Sequence, residues 1–250
     1  MFKPCLLIPL YNHGPLIAAT LARLKPLQLP CLIIDDGSDD DTAQTLQNLV
    51  HGEPWLTLLR QPSNQGKGVA VLLGIAQSRE LGYSHAVQID ADGQHALEDI
   101  PSALSMAKEN PDALISGAPI FDKSVPLARF YGRYITHVFV WLETLSLSIV
   151  DSMCGFRVYP VASSDDLARV QRIGRRMDFD TDIMVRMYWR GVPIRFFPTR
   201  VSYPSDGISH FAPFADNVRI TIMHTRLVCG MLLRLPTLLW RKLARENNVR

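Results

Sequence analysis

The stretch Cys31-Leu32-Ile33-Ile34-Asp35-Asp36-Gly37-Ser38-Asp39-Asp40-Asp41 passes from an apolar run into an acidic turn. The apolar run predicts a buried strand at 31–35, and the acidic turn is typical of a helix start, here of a helix at 41–50. The same alternation recurs on both sides, which predicts an α/β fold with a mostly parallel, Rossmann-like sheet and helices on both faces. The other predicted strands are 5–8, 56–60, 85–90 and 113–116, and the other predicted helices are 15–25, 68–81 and 97–108.

The second half of the chain has a different pattern. Residues 125–150 predict a long helix that is apolar around most of its circumference, and residues 214–242 predict a final amphipathic helix that breaks near Pro236. Between them, residues 155–159, 193–197 and 200–203 predict short strands. We therefore predict a main domain at 1–211 and a basic amphipathic C-terminal helix within 212–250.

Composition excludes several classes of protein. The chain has 250 residues, with 47% apolar and 20% charged types and a formal net charge of +2, which excludes a disordered chain and argues against a nucleic-acid partner. Four separated cysteines without a CxxC pair predict reduced thiols. Neither a signal peptide nor an uncharged apolar run of about 18 residues is recognised, so no membrane-spanning helix is predicted.

The charge is concentrated at the C-terminal end. Residues 214–250 contain seven Lys or Arg and two acids, among seven Leu residues and one Trp. This composition favours a peripheral helix on an anionic membrane surface, on the inner face of the cell membrane. The alternative is that the helix packs in a homodimer interface.

Polar clusters follow several predicted strands and should meet at one rim of the sheet. Asp90 and Asp92 come one residue apart after an apolar strand, with Gln94 beyond them. Close carboxylates repel unless a divalent cation neutralises them, so they indicate a metal site for Mg²⁺ or Mn²⁺ that also holds a diphosphate. The alternative is an ordinary turn in which an Asp caps the next helix.

Two other clusters suit a nucleotide. Asp36 is a candidate for hydrogen bonds from a base or ribose, although its acidic run also serves as a helix cap. Lys67 lies between two glycines at a predicted helix start, a weak phosphate-binding signal.

The second half supplies further candidates. Arg129 and Arg133 share a face of the long helix with His137, which indicates either a phosphate site or a solvated face. Asp180 and Asp182 are candidates for a general base or for helix capping. His210 is a candidate for a phosphate or metal contact, or a structural histidine.

These motifs together resemble a known family. Ile8-Pro9-Leu10-Tyr11-Asn12, Asp35-Asp36-Gly37-Ser38, Asn64-Gln65-Gly66-Lys67-Gly68 and Asp90-Ala91-Asp92-Gly93-Gln94-His95 occur in the order found in family 2 glycosyltransferases of the GT-A fold. Asp151-Ser152-Met153-Cys154-Gly155-Phe156-Arg157 is similar to a segment of the polyprenyl-phosphate sugar synthases, the branch that includes dolichol-phosphate-mannose synthases. The resemblance covers about residues 4–211.

The resemblance implies a role for each matching position. Asp90, Asp92 and Gln94 would bind Mg²⁺ or Mn²⁺ and the donor diphosphate, Pro9, Tyr11, Asn12 and Asp36 would hold the nucleoside, Arg129 and Arg133 would meet an acceptor phosphate, and Asp182 matches an acidic position of the branch. Two cations of the branch are replaced here, in Ser116-Gly117-Ala118-Pro119 and in Pro204-Ser205-Asp206-Gly207-Ile208-Ser209-His210. The acceptor is therefore expected to be either a polyprenyl phosphate or a lipid hydroxyl.

The resulting prediction is an inverting, metal-dependent glycosyltransferase that moves a sugar from a UDP- or GDP-sugar to a membrane lipid. The alternatives are a nucleotidyltransferase and a catalytically inactive protein that binds a nucleotide-sugar or a lipid.

Overall fold

The computed structural model describes residues 1–121, 127–201 and 212–247. Within these ranges seven strands form one sheet in the order β3-β2-β1-β4-β6-β5-β7. The strands are β1 Pro4–Leu10, β2 Cys31–Asp35, β3 Leu56–Arg60, β4 His85–Gln88, β5 Leu114–Phe121, β6 Arg157–Pro160 and β7 Ile194–Val201. The helices are α1 Gly14–Leu24, α2 Asp40–Val50, α3 Lys67–Glu80, α4 Ile100–Glu109, α5 Leu127–Thr144, α6 Val161–Val170, α7 Phe179–Trp189 and α8 Pro213–Asn247.

The sheet is mostly parallel, as predicted. β1 pairs in parallel with β2 and β4, β2 with β3, and β5 with β7. Only β6 runs against its described neighbours, β4 and β5. Strands β1, β2 and β4 are almost wholly buried because helices cover both faces of the sheet.

Each face of the sheet has its own hydrophobic core. On one face the core includes buried residues of α3, α5, α6, α7 and α8, and on the other it includes those of α1, α2 and α4. Helix α8 therefore packs on the same core as α5 and α7. The division of the chain at residue 211 stays a prediction, because residues 202–211 lie outside the described part.

The prediction of two strands at 193–197 and 200–203 is wrong, because β7 is one continuous strand. It pairs with β5 over eight positions. The Leu114 N–H donates to the Pro193 carbonyl. The main-chain N–H and C=O groups of odd-numbered residues of β7 therefore point towards β5, and those of even-numbered residues, among them Pro198, point to the outer edge of the sheet. The missing N–H of Pro198 therefore removes no hydrogen bond of this ladder.

The predicted break near Pro236 is also wrong, because α8 continues through this residue. Proline removes a single helical N–H, and buried Met231 and Leu238 pack into one core on either side of it. By length and composition, residues 213–244 of this helix could cross a membrane. The long helix α5 ends earlier than predicted, at Thr144, where Leu145 adopts a φ of 51°.

A buried polar contact joins the two long helices. Glu143 Oε1 of α5 lies 2.7 Å from His224 Nδ1 of α8, and both side chains are buried. Burial raises the pKa of Glu143, while His224 opposes this shift. This pair therefore adds a polar contact to the apolar contacts that hold α8 against α5.

Alanine substitutions at two helical glycines should change stability in opposite directions. A Cβ at Gly74 would overlap Leu7 Cδ1 of β1, whereas a Cβ at Gly132 of α5 meets no atom within 4 Å. We expect Gly74→Ala to lower the free energy of unfolding by about 1–3 kcal/mol through overpacking. We expect Gly132→Ala to raise it by up to about 1 kcal/mol through helix propensity. Urea unfolding measures both, and equal changes in the two variants would contradict this packing of α3 on β1.

Candidate active site

The candidate site lies at the carboxyl ends of β1 and β4, where the order of the sheet reverses. The chain passes from β1 outwards to β2 and β3 on one side, whereas β4 lies on the other side of β1. Ligands of open α/β sheets bind at such a switch point. The last pair of β1 with β4 is Leu7 with Gln88, so β1 extends beyond its partner. Pro9, buried in this extension, has no N–H to leave unpaired there.

Lys67 forms the centre of the site. Its Nζ lies 2.9 Å from Asp90 Oδ2 and 2.9 Å from Asp180 Oδ2, which join the start of α3, the loop after β4 and the start of α7. The three side chains are 20%, 22% and 10% exposed. Burial opposes charge on both Lys67 and Asp90. Nevertheless Asp180 and Asp90 raise the pKa of Lys67, and Lys67 together with His95 lowers the pKa of Asp90.

A buried chain of hydrogen bonds supports Asp90 from below. Gln88 Nε2 donates to Asp90 Oδ1 at 3.2 Å, and the Tyr159 hydroxyl donates to Gln88 Oε1 at 3.1 Å. Arg157, fully buried, donates to the main-chain carbonyls of Ser152, Cys154 and Asp180. The orientation of the Asp90 carboxylate is therefore fixed by the core.

Asp180 retains an unused oxygen. Its Oδ2 pairs with Lys67, but among the described residues its buried Oδ1 finds no hydrogen-bond donor, and Arg157 Nη1 is 3.9 Å away. A buried carboxylate oxygen without a donor is costly in a folded protein. Oδ1 therefore has unused hydrogen-bonding capacity beside the cluster.

Gly155 leaves the space that the cluster needs. A Cβ at this position would overlap Asp90 Oδ2 and lie 2.7 Å from Lys67 Nζ. The loop that carries Gly155 is held by Asp151, whose Oδ1 accepts the N–H groups of Met153 and Cys154. Lys67 and Asp90 can therefore approach each other at this place because Gly155 has no side chain.

The other predicted metal ligands lie in the loop after β4. Asp92 Oδ1 accepts the Gln94 N–H at 3.0 Å, and both side chains are partly exposed. Within the described ranges no three His, Cys, Asp or Glu side chains are grouped as a metal cage. The residues fit a hard cation that takes few protein oxygens and shares its remaining positions with phosphate, as Mg²⁺ usually does.

Asn12 connects the first two loops of the site. It adopts a φ of 54°, a left-handed conformation that Asn tolerates better than most residues. Its N–H donates to Ser38 Oγ and its side-chain oxygen accepts the Asp39 N–H, both at 2.9 Å. Tyr11 and Asn12 are both partly exposed. These two of the predicted nucleoside contacts therefore lie at the surface of the site.

Asp36 holds the loop that leads into Lys67. Its oxygens accept hydrogen bonds from Gln61 Nε2 and from the N–H groups of Gln65 and Gly66, and its side chain is buried. Burial raises the pKa of Asp36, which the two backbone donors oppose. The contact of Asp36 with a nucleoside stays a prediction, and most of the acceptor capacity of this carboxylate is used within the protein.

Arg133 is likewise committed to the protein. Its Nε and Nη2 donate to the two oxygens of Asp151, at 2.6 and 2.8 Å, and its predicted contact with an acceptor phosphate stays a prediction. His137 Nε2 lies 3.6 Å from Asp151 Oδ2. The backbone of Arg129 belongs to α5, but its side chain lies outside the described residues, and so does all of His210.

Asp182 is separate from the Lys67 cluster. It is fully buried, and its oxygens contact Arg186, the Gly174 N–H at 2.7 Å and Arg226 at 3.7 Å. Burial raises its pKa, which these donors counteract. This placement does not suit a base that must reach a substrate, so Asp180 is the better candidate of the two.

Three residues of the site were missed by the sequence analysis as functional positions. His95 Nε2 lies 3.4 Å from Asp90 Oδ2, while Gly155 and Arg157 shape and support the cluster. All three belong to segments that carried the family resemblance. The motifs were visible in the sequence, but Gly155 lies beside Asp90 across 65 residues of chain and Arg157 donates to Asp180 across 23, and spacing alone does not reveal these contacts.

Comparisons with known proteins agree with this geometry. The profile of glycosyl transferase family 2 matches residues 5–164. Polyprenol monophosphomannose synthase from Mycolicibacterium smegmatis is 28% identical over 207 residues, which cover 76% of this chain and 72% of that protein. A dolichyl-phosphate beta-glucosyltransferase from Trichomonas vaginalis is 27% identical over 200 residues, 71% of this chain and 57% of that longer protein.

A solved structure shows the same fold. Glucosyl-3-phosphoglycerate synthase from Mycobacterium tuberculosis, in complex with Mn²⁺ and UDP-glucose, superimposes with a TM-score of 0.65 at 14% identity and covers 93% of this chain and 79% of its own. The predicted resemblance to polyprenyl-phosphate sugar synthases and the predicted GT-A fold are thus confirmed. The match over most of the chain shows that this protein belongs to glycosyl transferase family 2.

Proposed function

We propose that this glycosyltransferase moves a sugar from a UDP- or GDP-sugar to a lipid acceptor at a membrane, with inversion at the anomeric carbon. The observation that carries the proposal is the Lys67, Asp90 and Asp180 cluster at the switch point of the sheet. Relatives named for dolichyl and polyprenyl phosphates support a lipid acceptor, and a structural neighbour bound to UDP-glucose and Mn²⁺ supports the donor and the metal. The intact cluster favours an enzyme over an inactive binding protein.

The residues of the cluster divide the chemistry among them. Asp90, Asp92 and Gln94 would hold Mg²⁺ or Mn²⁺, which when bound offsets the negative charge of a departing diphosphate. Lys67 adds a fixed positive charge at the same place. Asp180 Oδ1 is available to take the proton of a hydroxyl acceptor, while a phosphate acceptor is already anionic and needs no base.

An exposed apolar surface supports the membrane part of the proposal. Helix α8 exposes Phe214 by 86%, Leu233 by 84% and Trp240 by 69%, and α5 beside it exposes Tyr134 and Ile135. Surfaces of this kind on a soluble fold mark sites of protein or membrane contact. We name this set the apolar face and place it on the inner surface of the cell membrane, with α8 lying along it.

Donor binding should depend on the loop after β4. We expect UDP- or GDP-sugars with Mn²⁺ to raise the melting temperature of the wild type, because a ligand of the native state stabilises it by mass action. Asp92→Ala should abolish this shift, because the metal loses one of its proposed ligands. The variant should still fold, since among the described contacts the Asp92 side chain accepts one hydrogen bond, from the Gln94 N–H. Asp112→Ala, at an exposed position, is the matched control. A Mn²⁺-dependent shift that survives in Asp92→Ala would contradict the metal assignment.

The two acids of α7 should behave differently. With a hydroxyl acceptor, we expect Asp180→Asn to lower kcat by about 10²–10⁴ because the base is lost. Asp182→Asn should keep turnover but lower the free energy of unfolding by about 1–3 kcal/mol, since buried donors lose an acceptor. Nucleotide release from donor, Mn²⁺ and lipid extract measures turnover. Equal losses of turnover in two folded variants would refute the choice of Asp180.

The apolar face should control membrane binding. We expect Leu233→Glu to weaken binding to phosphatidylcholine vesicles by about tenfold or more, because a buried Leu contributes about 1.5–3 kcal/mol. Val170→Glu changes an exposed apolar residue of α6 and should have no effect. Vesicle co-sedimentation measures both variants. If the wild type is instead a dimer that Leu233→Glu dissociates, without vesicle binding, the face is a subunit interface.

A further inference from the structure

A second pocket, distinct from the candidate active site, is lined by arginines. It has a volume of about 330 Å³ and lies between the loop that precedes α7, the loop that precedes α3 and the first half of α8. Five of its lining residues are arginines: Arg172, Arg175, Arg176, Arg219 and Arg226. It shares Asn64 and Gln65 with the loop before Lys67 but contains neither Lys67 nor Asp90 nor Asp180, so the cluster proposed for sugar transfer does not account for its arginines.

The positive charge of this arginine pocket is only partly neutralised. Arg219 pairs with Asp216 at 2.7 Å, and Arg226 lies 3.7 Å from Asp182. In the described part of the chain, the exposed guanidinium groups of Arg172 and Arg175 have no hydrogen-bonding or ionic partner. A concave site with unpaired guanidinium groups attracts anions and suits phosphate, which accepts bidentate hydrogen bonds from arginine.

The one carboxylate among the described lining residues is already in use. Asp178 Oδ1 accepts the Arg176 N–H at 3.0 Å, and the Asp178 side chain is buried. Arg176 itself donates to Asn64 Oδ1 across the pocket at 3.0 Å. The pocket is thus braced from within, and its two exposed arginines remain available to a ligand.

Two arginines of the pocket lie on α8, the helix that carries most of the apolar face. Arg219 and Arg226 are seven residues apart and lie on one side of the helix, and Arg219 stands between the exposed apolar residues Val218 and Ile222 in the chain. Arginines at the edge of an apolar helical face lie at the depth of lipid head groups when that face enters a membrane. The charge and the location of the pocket therefore suit the same ligand.

We propose that the arginine pocket binds the phosphate group of a phosphomonoester lipid, as an anchoring site separate from the reaction centre. The pocket is also connected to the start of α3 beside Lys67, because the Arg175 carbonyl accepts the Gly68 N–H at 2.9 Å. The lipid part of this inference rests on the membrane contact proposed above. The recognition of phosphate depends on the pocket alone.

The test uses the full chain and vesicles of phosphatidylcholine with and without phosphatidate. We expect phosphatidate to strengthen vesicle binding of the wild type, and Arg172→Gln/Arg175→Gln to lose this gain, on the order of tenfold. Arg23→Gln/Lys108→Gln removes the same charge from exposed positions of α1 and α4 on the opposite face of the sheet, and it should keep the gain. Neither pair lies in the proposed catalytic machinery, so donor-induced melting shifts should persist in both.

Inorganic phosphate at constant ionic strength separates a pocket from diffuse attraction. Phosphate should compete with phosphatidate vesicles for the wild type more strongly than chloride does, because a pocket recognises the group and not only its charge. An equal gain from phosphatidate in the wild type and in Arg172→Gln/Arg175→Gln would overturn the proposal. A second outcome would also overturn it: inorganic phosphate raises the melting temperature only when the two arginines are present, whereas the gain in vesicle binding does not need them. The ligand of the pocket would then be free phosphate. Binding to pure phosphatidylcholine reports on the apolar face, so the two proposals can fail separately.

Discussion

The ammonium group of Lys67 between the carboxylates of Asp90 and Asp180 is the contact on which the candidate site depends. It joins three segments that are far apart in sequence, and it does so with charges that are largely shielded from water. Removing one partner of such a group leaves a buried charge without compensation, which costs far more than the contact itself contributes. The surrounding structure is arranged accordingly: Asp36 holds the loop before Lys67, and the core holds Asp90 through Gln88 and Tyr159.

Sequence patterns predicted the sheet well because its information is local. Short, mostly apolar segments, each followed by a polar turn, identify β2 and β3 to the residue. The errors arose where neighbours decide the outcome. The predicted gap between 197 and 200 lies inside the continuous strand β7, where Pro198 faces the edge away from β5. The predicted break at Pro236 lies inside α8, which the core on both sides keeps continuous.

The individual roles of polar residues were harder to predict than their presence. Asp36, Arg133 and Asp182 each belong to a motif that pointed to a ligand, and each instead uses its polar atoms within the protein. Their partners lie from 4 to 44 residues away in the chain, and spacing alone does not reveal which acid faces which donor. The arginine pocket escaped prediction for the same reason, since its cations come from the loop before α7 and from α8.

The missing side chain of Gly155 bears on how related sequences are compared. A Cβ there would come within 2.7 Å of both Asp90 Oδ2 and Lys67 Nζ, so these side-chain ends would have to shift. A relative that keeps both acids after β4 but carries a larger residue in place of this glycine therefore needs a different arrangement of its lysine and carboxylate. In surveys of related sequences, this position identifies members whose centre is built differently, although it contributes no functional group itself.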